Sequence, residues 1–158
     1  MSDSFDILFT RATVLDGTGA PGRVADVGVR GDRIAAVGDL GGASAGQSHD
    51  LAGRVLAPGF IDVHTHDDNA VLRAPECVAK VSQGVTTVVV GNCGISAAPV
   101  RLHGRPPEPL NLLGGRDDFP FETFAQYVDA VGAAEPAVNV AALAGHTSLR
   151  ISHVGDLA

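Results

Sequence analysis

Two histidines separated by one residue, His64 and His66, are the side chains in this sequence best placed to do chemistry. They follow the largely apolar run 60–63, which predicts a buried strand, so they lie at its carboxyl end. Side chains two positions apart on a strand project from one face, and two neutral imidazoles there can ligate one metal ion. An isolated His-x-His pair is as often a chance pair of surface histidines, but the flanking sequence PGFIDVHTHDD, 58–68, favours a metal site.

Cys93 is a second candidate ligand. It follows the β-branched run 85–90, which predicts a strand buried on both faces, and lies within Gly-Asn-Cys-Gly. A thiolate binds zinc well, and neighbouring strands would bring Cys93 towards the His pair. The alternative is a free cysteine that packs as a small apolar side chain, and this is our interpretation of Cys77 in a predicted helix.

Further polar residues could support such a site. Asp62 lies one pleat before the His pair and could orient a ligand or serve as a structural hydrogen-bonding group. Asp67 and Asp68 follow the pair, where a solvated end of a loop is the competing interpretation. His146 follows the third predicted strand and could hydrogen-bond near the site or fix a loop. Arg150 could hold a carboxylate or lie solvated on the surface.

After residue 57, strand and helix patterns alternate. Predicted strands cover 60–64, 85–90 and 137–144, predicted helices cover 74–83 and 121–131, and a long loop covers 99–120. This order is typical of βα units with a parallel sheet, and a barrel needs eight strands and about 250 residues. We predict an α/β fold in which 58–158 form the first three βα units of a (β/α)8, TIM-type barrel whose remainder is not in this chain.

Residues 1–57 carry short strand patterns separated by turns. Predicted strands cover 6–14, 25–30, 33–37 and 54–56. Gly31 and Asp32 lie between the second and third strands and suit a type II′ turn, because Gly tolerates the positive φ of its first central position. The stretch 38–48, rich in Gly, Ala and Ser, is predicted to be a loop.

Composition limits the classes of function. Hydrophobic residues make up 45% of the chain, enough for a buried core, and 18 acids against 11 bases give a net charge of −7. Such a surface repels nucleic acid and anionic membranes, so we predict neither as a partner. The sequence shows no signal-peptide pattern, no membrane-span pattern and too few cysteines for a disulfide framework. We expect a cytoplasmic protein; its oligomeric state is not indicated.

Three segments together resemble one known family. Residues 58–68 resemble the metal-binding opening of the amidohydrolase superfamily, an element that is widely shared. The segments SQGVTTVVVGNCGIS, 82–96, and LAGHTSLR, 143–150, are more specific and are similar to the D-aminoacylase (N-acyl-D-amino-acid deacylase) family. The resemblance covers essentially the whole chain but only the front part of the family's length.

The resemblance implies zinc-dependent hydrolysis of the amide bond of N-acyl-D-amino acids, which gives a carboxylate and a free D-amino acid. His64 and His66 would be the paired His ligands and Cys93 the family's metal-binding cysteine, for one or two zinc ions. Residues 1–57 would be the N-terminal part of a β-sandwich domain. The other ligands and the acid/base aspartate would lie beyond Ala158, so no catalytic base is assigned.

Two alternatives stay open. A cyclic-amide hydrolase related to dihydropyrimidinase or dihydroorotase would commonly bridge two metals with a carboxylated lysine at a strand end. The single lysine, Lys80, instead falls in a predicted helix, which argues against this alternative. The chain could also be a non-catalytic module or fragment, which a failure to bind zinc would favour.

Overall fold

A computed structural model describes residues 4–154. The chain divides into two compact units, Met1–Pro58 and Gly59–Ala158. The first unit contains only strands and turns in its described part, whereas the second contains parallel strands and helices.

The first unit is a five-stranded sheet. Its strands are β1 (Ser4–Val14), β2 (Arg23–Arg30), β3 (Arg33–Gly38), β4 (Ser44–Asp50) and β5 (Val55–Leu56). The order is β3-β2-β1-β4, with β5 also beside β1. The pairs β1–β2 and β2–β3 are antiparallel, and β4 and β5 run parallel to β1. Phe5, Leu8, Ala12, Ala25 and Val27 are its buried apolar residues.

The predicted hairpin is confirmed, and the predicted loop 38–48 is in part wrong. Arg30 pairs with Arg33 across the turn, and Gly31 has the positive φ of +59° that a type II′ turn requires at its first central position. Strand β4 lies partly inside the predicted loop. Its small residues have little preference for strands, but pairing with β1 supplies their backbone hydrogen bonds, so the tertiary context decides.

The second unit is a three-stranded sheet with helices. Its strands are β6 (Phe60–Thr65), β7 (Val85–Val90) and β8 (Asn139–Ala142), and its helices are α1 (Ala70–Arg73), α2 (Val78–Val81), α3 (Phe124–Ala134) and α4 (His146–Val154). The strand order is β6-β7-β8 and both pairs are parallel. The predicted α/β class is therefore confirmed. The three strands form an open sheet, and the barrel stays a prediction.

The helices differ from the predicted ones in length and number. The helix predicted at 74–83 is reduced to α2, and α1 precedes it, because the residue before Pro75, Ala74, leaves the helical conformation with φ −134°. Helix α3 begins at a capping box formed by Thr123 and Gln126. Helix α4 was not predicted. None of the helices within 4–154 has the length and apolar character needed to span a membrane.

Apolar side chains of the strands and helices form the core of the second unit. Val88 and Val90 of β7 are buried together with Val71 of α1 and Tyr127 of α3. This face of β7 is therefore the helix side of the sheet. The long segment 99–120 carries two short 3-10 turns, and its apolar side chains form a second cluster with Ile95 and Ile151.

Candidate metal centre

The two histidines lie at the carboxyl end of β6. His64 is within the strand and His66 follows it, and both side chains are exposed. Their ring centroids are 5.6 Å apart and the ring planes meet at 70°. The imidazoles are therefore close enough to face one common point from two directions.

Cys93 reaches the same place from the end of β7. The chain turns sharply at Gly91, whose φ is +80°, and a side chain there would overlap the carbonyl oxygen of Leu143. The side-chain amide of Asn92 donates to the carbonyl oxygen of Val63 at 2.6 Å and ties the turn to β6. As a result, Cys93 Sγ lies 3.7 Å from Nε2 and 3.9 Å from Nδ1 of His66.

The three side chains form one group of potential ligands. One ligand atom from each of His64, His66 and Cys93 can be chosen so that all lie within 4.8 Å of one another. Two ligands of a tetrahedral zinc ion are about 3.5 Å apart, given Zn–N and Zn–S bonds of about 2.1 and 2.3 Å. Two imidazoles and a thiol at this spacing fit zinc with small adjustments of the side chains. The structure therefore brings together the three residues that the sequence proposed as ligands.

Asp62 contacts the backbone of this segment rather than an imidazole ring. Its Oδ1 accepts from the backbone N–H of His64 at 3.3 Å, and its Oδ2 accepts from Lys80 Nζ at 2.7 Å. The hydrogen bond from Lys80 is the main reason that the pKa of Asp62 lies below its usual value. Asp67 shares the same lysine, with its Oδ2 2.8 Å from Lys80 Nζ.

Asp68 is buried, with only 1% of its surface exposed, so it is not the solvated loop residue considered from the sequence. Its Oδ1 accepts from the backbone N–H of Ala97 at 2.9 Å, and Tyr127 donates its hydroxyl to the carbonyl oxygen of Asp68 at 2.9 Å. Within residues 4–154, Asp68 Oδ2 has no hydrogen-bond partner. Burial raises the pKa of this carboxyl group.

The remaining sequence candidates lie outside the ligand group. His146 is exposed at the first position of α4, and Arg150 is half-buried in the same helix. Cys77 precedes α2, is half-buried against the apolar core, and burial raises the pKa of its thiol. His146 and Cys77 are not members of the group that joins His64, His66 and Cys93.

Sequence analysis missed two residues that tie the site together. Lys80 holds two carboxylates that flank the His pair, and Asn92 joins the Cys93 turn to β6. The single lysine of the chain, placed in the predicted helix 74–83 between the two strands that carry the ligands, was a usable signal for the first. The position of Asn92 beside Cys93 gave no comparable signal, because its acceptor is a backbone atom on another strand.

The fold and the site define a class of protein: α/β proteins that gather functional side chains at the carboxyl ends of neighbouring parallel strands. The chain belongs to the amidohydrolase family, whose family model matches residues 47–158. This match includes all three residues of the ligand group.

Relatives of known function and structure support this assignment. A D-aminoacylase of Alcaligenes xylosoxydans xylosoxydans is 54% identical over 99% of this chain, which covers 32% of that protein. A D-aminoacylase structure solved in a study of its binuclear metal centre is 57% identical, with a TM-score of 0.90 over 97% of this chain and 32% of that one.

A third relative is the N-acyl-D-glutamate deacylase of Bordetella bronchiseptica, solved with zinc and a phosphonate inhibitor that mimics the tetrahedral intermediate of the reaction. It is 48% identical, with a TM-score of 0.88 over 97% of this chain and 32% of that one. The chain thus spans about a third of the length of the relatives that it matches. The resemblance to N-acyl-D-amino-acid deacylases that the three sequence segments indicated is confirmed.

Proposed function

We propose that the protein is a zinc-dependent hydrolase of N-acyl-D-amino acids that releases a carboxylate and a free D-amino acid. The single observation that carries the proposal is the grouping of His64, His66 and Cys93 at adjacent strand ends in a chain about half identical to deacylases of this kind. The net charge of −7 favours neither nucleic acid nor anionic membranes as partners.

We also propose the architecture that this activity requires. The strands β6, β7 and β8 would be the first three of a (β/α)8 barrel formed by 58–158 and further chain, and 1–57 would be part of a β-sandwich domain. The support is that all three strands are parallel and sequential, and that the ligand group lies at the carboxyl ends of β6 and β7.

His64, His66 and Cys93 would hold the metal, as one ion or as part of a pair. When bound, zinc supplies Lewis-acid polarisation of the acyl carbonyl and lowers the pKa of water near it. The histidines must be neutral and the cysteine deprotonated to act as ligands. Asn92 contributes by holding the Cys93 turn against β6, which keeps the thiol close to the imidazoles.

The general base of the reaction is proposed to come from outside residues 4–154. The carboxylates nearest the His pair in the sequence are already engaged, since Asp62 and Asp67 both bind Lys80. Asp68 is buried, so its carboxyl group cannot reach a substrate. A base must come within hydrogen-bond reach of the proton it removes, and none of these three side chains is free to do so.

The surroundings of Lys80 argue against its serving as the carboxylated lysine of a cyclic-amide hydrolase. A carboxylated lysine carries a negative charge, whereas Lys80 lies between two carboxylates that would repel it. Burial alone would lower the pKa of Lys80, but its hydrogen bonds to Asp62 and Asp67 outweigh burial and raise it. Lys80 therefore remains a protonated ammonium group.

The test is an assay of the complete purified protein on paired N-acetyl-D- and N-acetyl-L-amino acids and on dihydrouracil. We expect faster release of free amino acid from the D-series than from the L-series, and slower opening of the ring. Preference for the L-series or for dihydrouracil would assign the protein to another branch of the family. A protein that binds no zinc and hydrolyses none of these substrates would support the non-catalytic alternative.

A further inference from the structure

Lys80 uses all of its hydrogen-bonding capacity on the segment that carries the histidines. An ammonium group has three N–H donors, and three acceptors lie around Lys80 Nζ. They are Asp62 Oδ2 at 2.7 Å, Asp67 Oδ2 at 2.8 Å and Thr65 Oγ1 at 3.1 Å. The three acceptors begin two residues before His64 and end one residue after His66. The contacts of one side chain therefore bracket both candidate ligands.

An irregularity in β6 explains how these acceptors reach one lysine. Asp62 pairs with Val88 and Thr65 pairs with Val90, so β6 contains one residue more than β7 between the two pairs. Val88 and Val90 point to the helix side of the sheet. Their partners Asp62 and Thr65 both contact Lys80 of helix α2, so these side chains lie on that side as well. Regular alternation would place positions 62 and 65 on opposite faces. The extra residue is a bulge, a device that re-aims side chains beside functional sites.

We propose that Lys80 is a positioning residue of the metal centre, which fixes the bulged segment of β6 in the shape that presents both imidazoles. The inference rests on the proposed metal site. Lys80 holds Asp62 on one side of the bulge and Thr65 and Asp67 on the other, whereas the two histidines are grouped with Cys93. Lys80 thus acts through the backbone and is not itself a ligand.

Attraction between Lys80 and two carboxylates stabilises the shape of the bulge. Lys80, Asp62 and Asp67 are all partly shielded from solvent, so their attraction is stronger than that of an exposed pair. Without the ammonium group, the two carboxylates would face one another across the bulge with no cation between them. Their repulsion would separate the ends of the segment and spread the two histidines.

The experiment measures metal binding by the Lys80→Met variant of the complete protein. Methionine keeps the length of the side chain and removes its charge and donors. We expect zinc affinity to fall by at least about tenfold, as for other residues that orient metal ligands from outside the coordination sphere. The absorption spectrum of the Co²⁺-loaded protein should also change, because it reports ligand geometry independently of activity.

The control is Arg101→Met, which removes an exposed ion pair with Glu122 in the same unit and should leave both readouts unchanged. A wild-type protein that binds no zinc would refute the proposed function itself. Wild-type zinc affinity and an unchanged Co²⁺ spectrum in Lys80→Met would overturn only the role of Lys80. If Lys80→Met does not fold, Asp67→Asn replaces it, and we expect a smaller loss of affinity. A folded Asp67→Asn protein with wild-type affinity would then overturn the inference.

Discussion

The two cysteines differ in the surroundings that decide whether a thiol binds metal. Cys93 is exposed at the end of β7 and lies within 4.8 Å of ligand atoms of His64 and His66. Cys77 is half-buried against the apolar core, and burial raises the pKa of its thiol. A thiol must lose its proton to bind zinc, so the burial of Cys77 opposes binding. Cys93 instead has two potential co-ligands, His64 and His66, within reach.

Replacement of each cysteine by alanine separates these environments. We expect the Cys93→Ala variant of the complete protein to lose most of its zinc, because one of the proposed ligands is removed. The Cys77→Ala variant should retain the wild-type zinc content, which makes it the matched control. Elemental analysis of the purified variants gives the zinc content of each. Equal zinc in the two variants would count against Cys93 as a ligand.

At the residue scale, the sequence was sufficient to propose the ligands but not the residues that support them. His64, His66 and Cys93 could be placed because strand ends follow from local patterns of apolar residues. The role of Lys80 could not be placed in the same way, because it depends on a bulge in the register between β6 and β7. Alternation without a bulge puts Asp62 on the face of His64, whereas the bulge turns it towards Lys80.

Among the elements, the segment 91–98 that carries Cys93 is fixed by the start of α4. Gly145 donates its backbone N–H to Ser96 Oγ at 2.9 Å, and Thr147 donates to the carbonyl oxygen of Gly94 at 2.8 Å. Ser148, which is buried, donates its hydroxyl to the carbonyl oxygen of Ser96 at 2.8 Å. The position of Cys93 therefore depends on how closely α4 approaches this segment.

Gly145→Ala tests that approach. A methyl group at position 145 would overlap the carbonyl group of Gly94, one residue from Cys93, so we expect a loss of about 1–3 kcal/mol in stability and weaker zinc binding. Gly104→Ala is the matched control, because a methyl group there meets no atom within 4 Å. Thermal melting and zinc titration of both variants provide the measurement. If Gly145→Ala matches Gly104→Ala in both melting temperature and zinc affinity, the close contact between position 145 and Gly94 is unnecessary for the site.

The missed elements have a common physical cause. Strand β4 consists of small and polar residues, which have little preference for strands. Its hydrogen bonds come from β1, about forty positions earlier in the chain, as in the pairing of Ser44 with Ser4. Helix α4 is held by the buried contacts of Ser148 rather than by a strong helical pattern. By contrast, the β2–β3 hairpin and β7 were predicted because turn residues and β-branched runs are local signals.

For the whole molecule, β6 leaves apolar side chains uncovered. Phe60, Ile61 and Val63 are each about 60% exposed, at 61%, 60% and 61%. Within the described residues, β6 is an edge strand that pairs with β7 only. Exposed apolar side chains on such a strand are typical of a sheet that further strands complete. This agrees with the proposed barrel and with a metal site that draws its remaining ligands from outside residues 4–154.

The central claim is that His64, His66 and Cys93 hold zinc, and X-ray absorption at the zinc edge of the complete protein tests it most directly. We expect nitrogen or oxygen neighbours at about 2.0–2.1 Å and a sulfur neighbour at about 2.3 Å. The sulfur contribution should disappear in the zinc that remains in Cys93→Ala and persist in Cys77→Ala. A wild-type spectrum without sulfur, or a sulfur neighbour that survives in Cys93→Ala, would contradict the account.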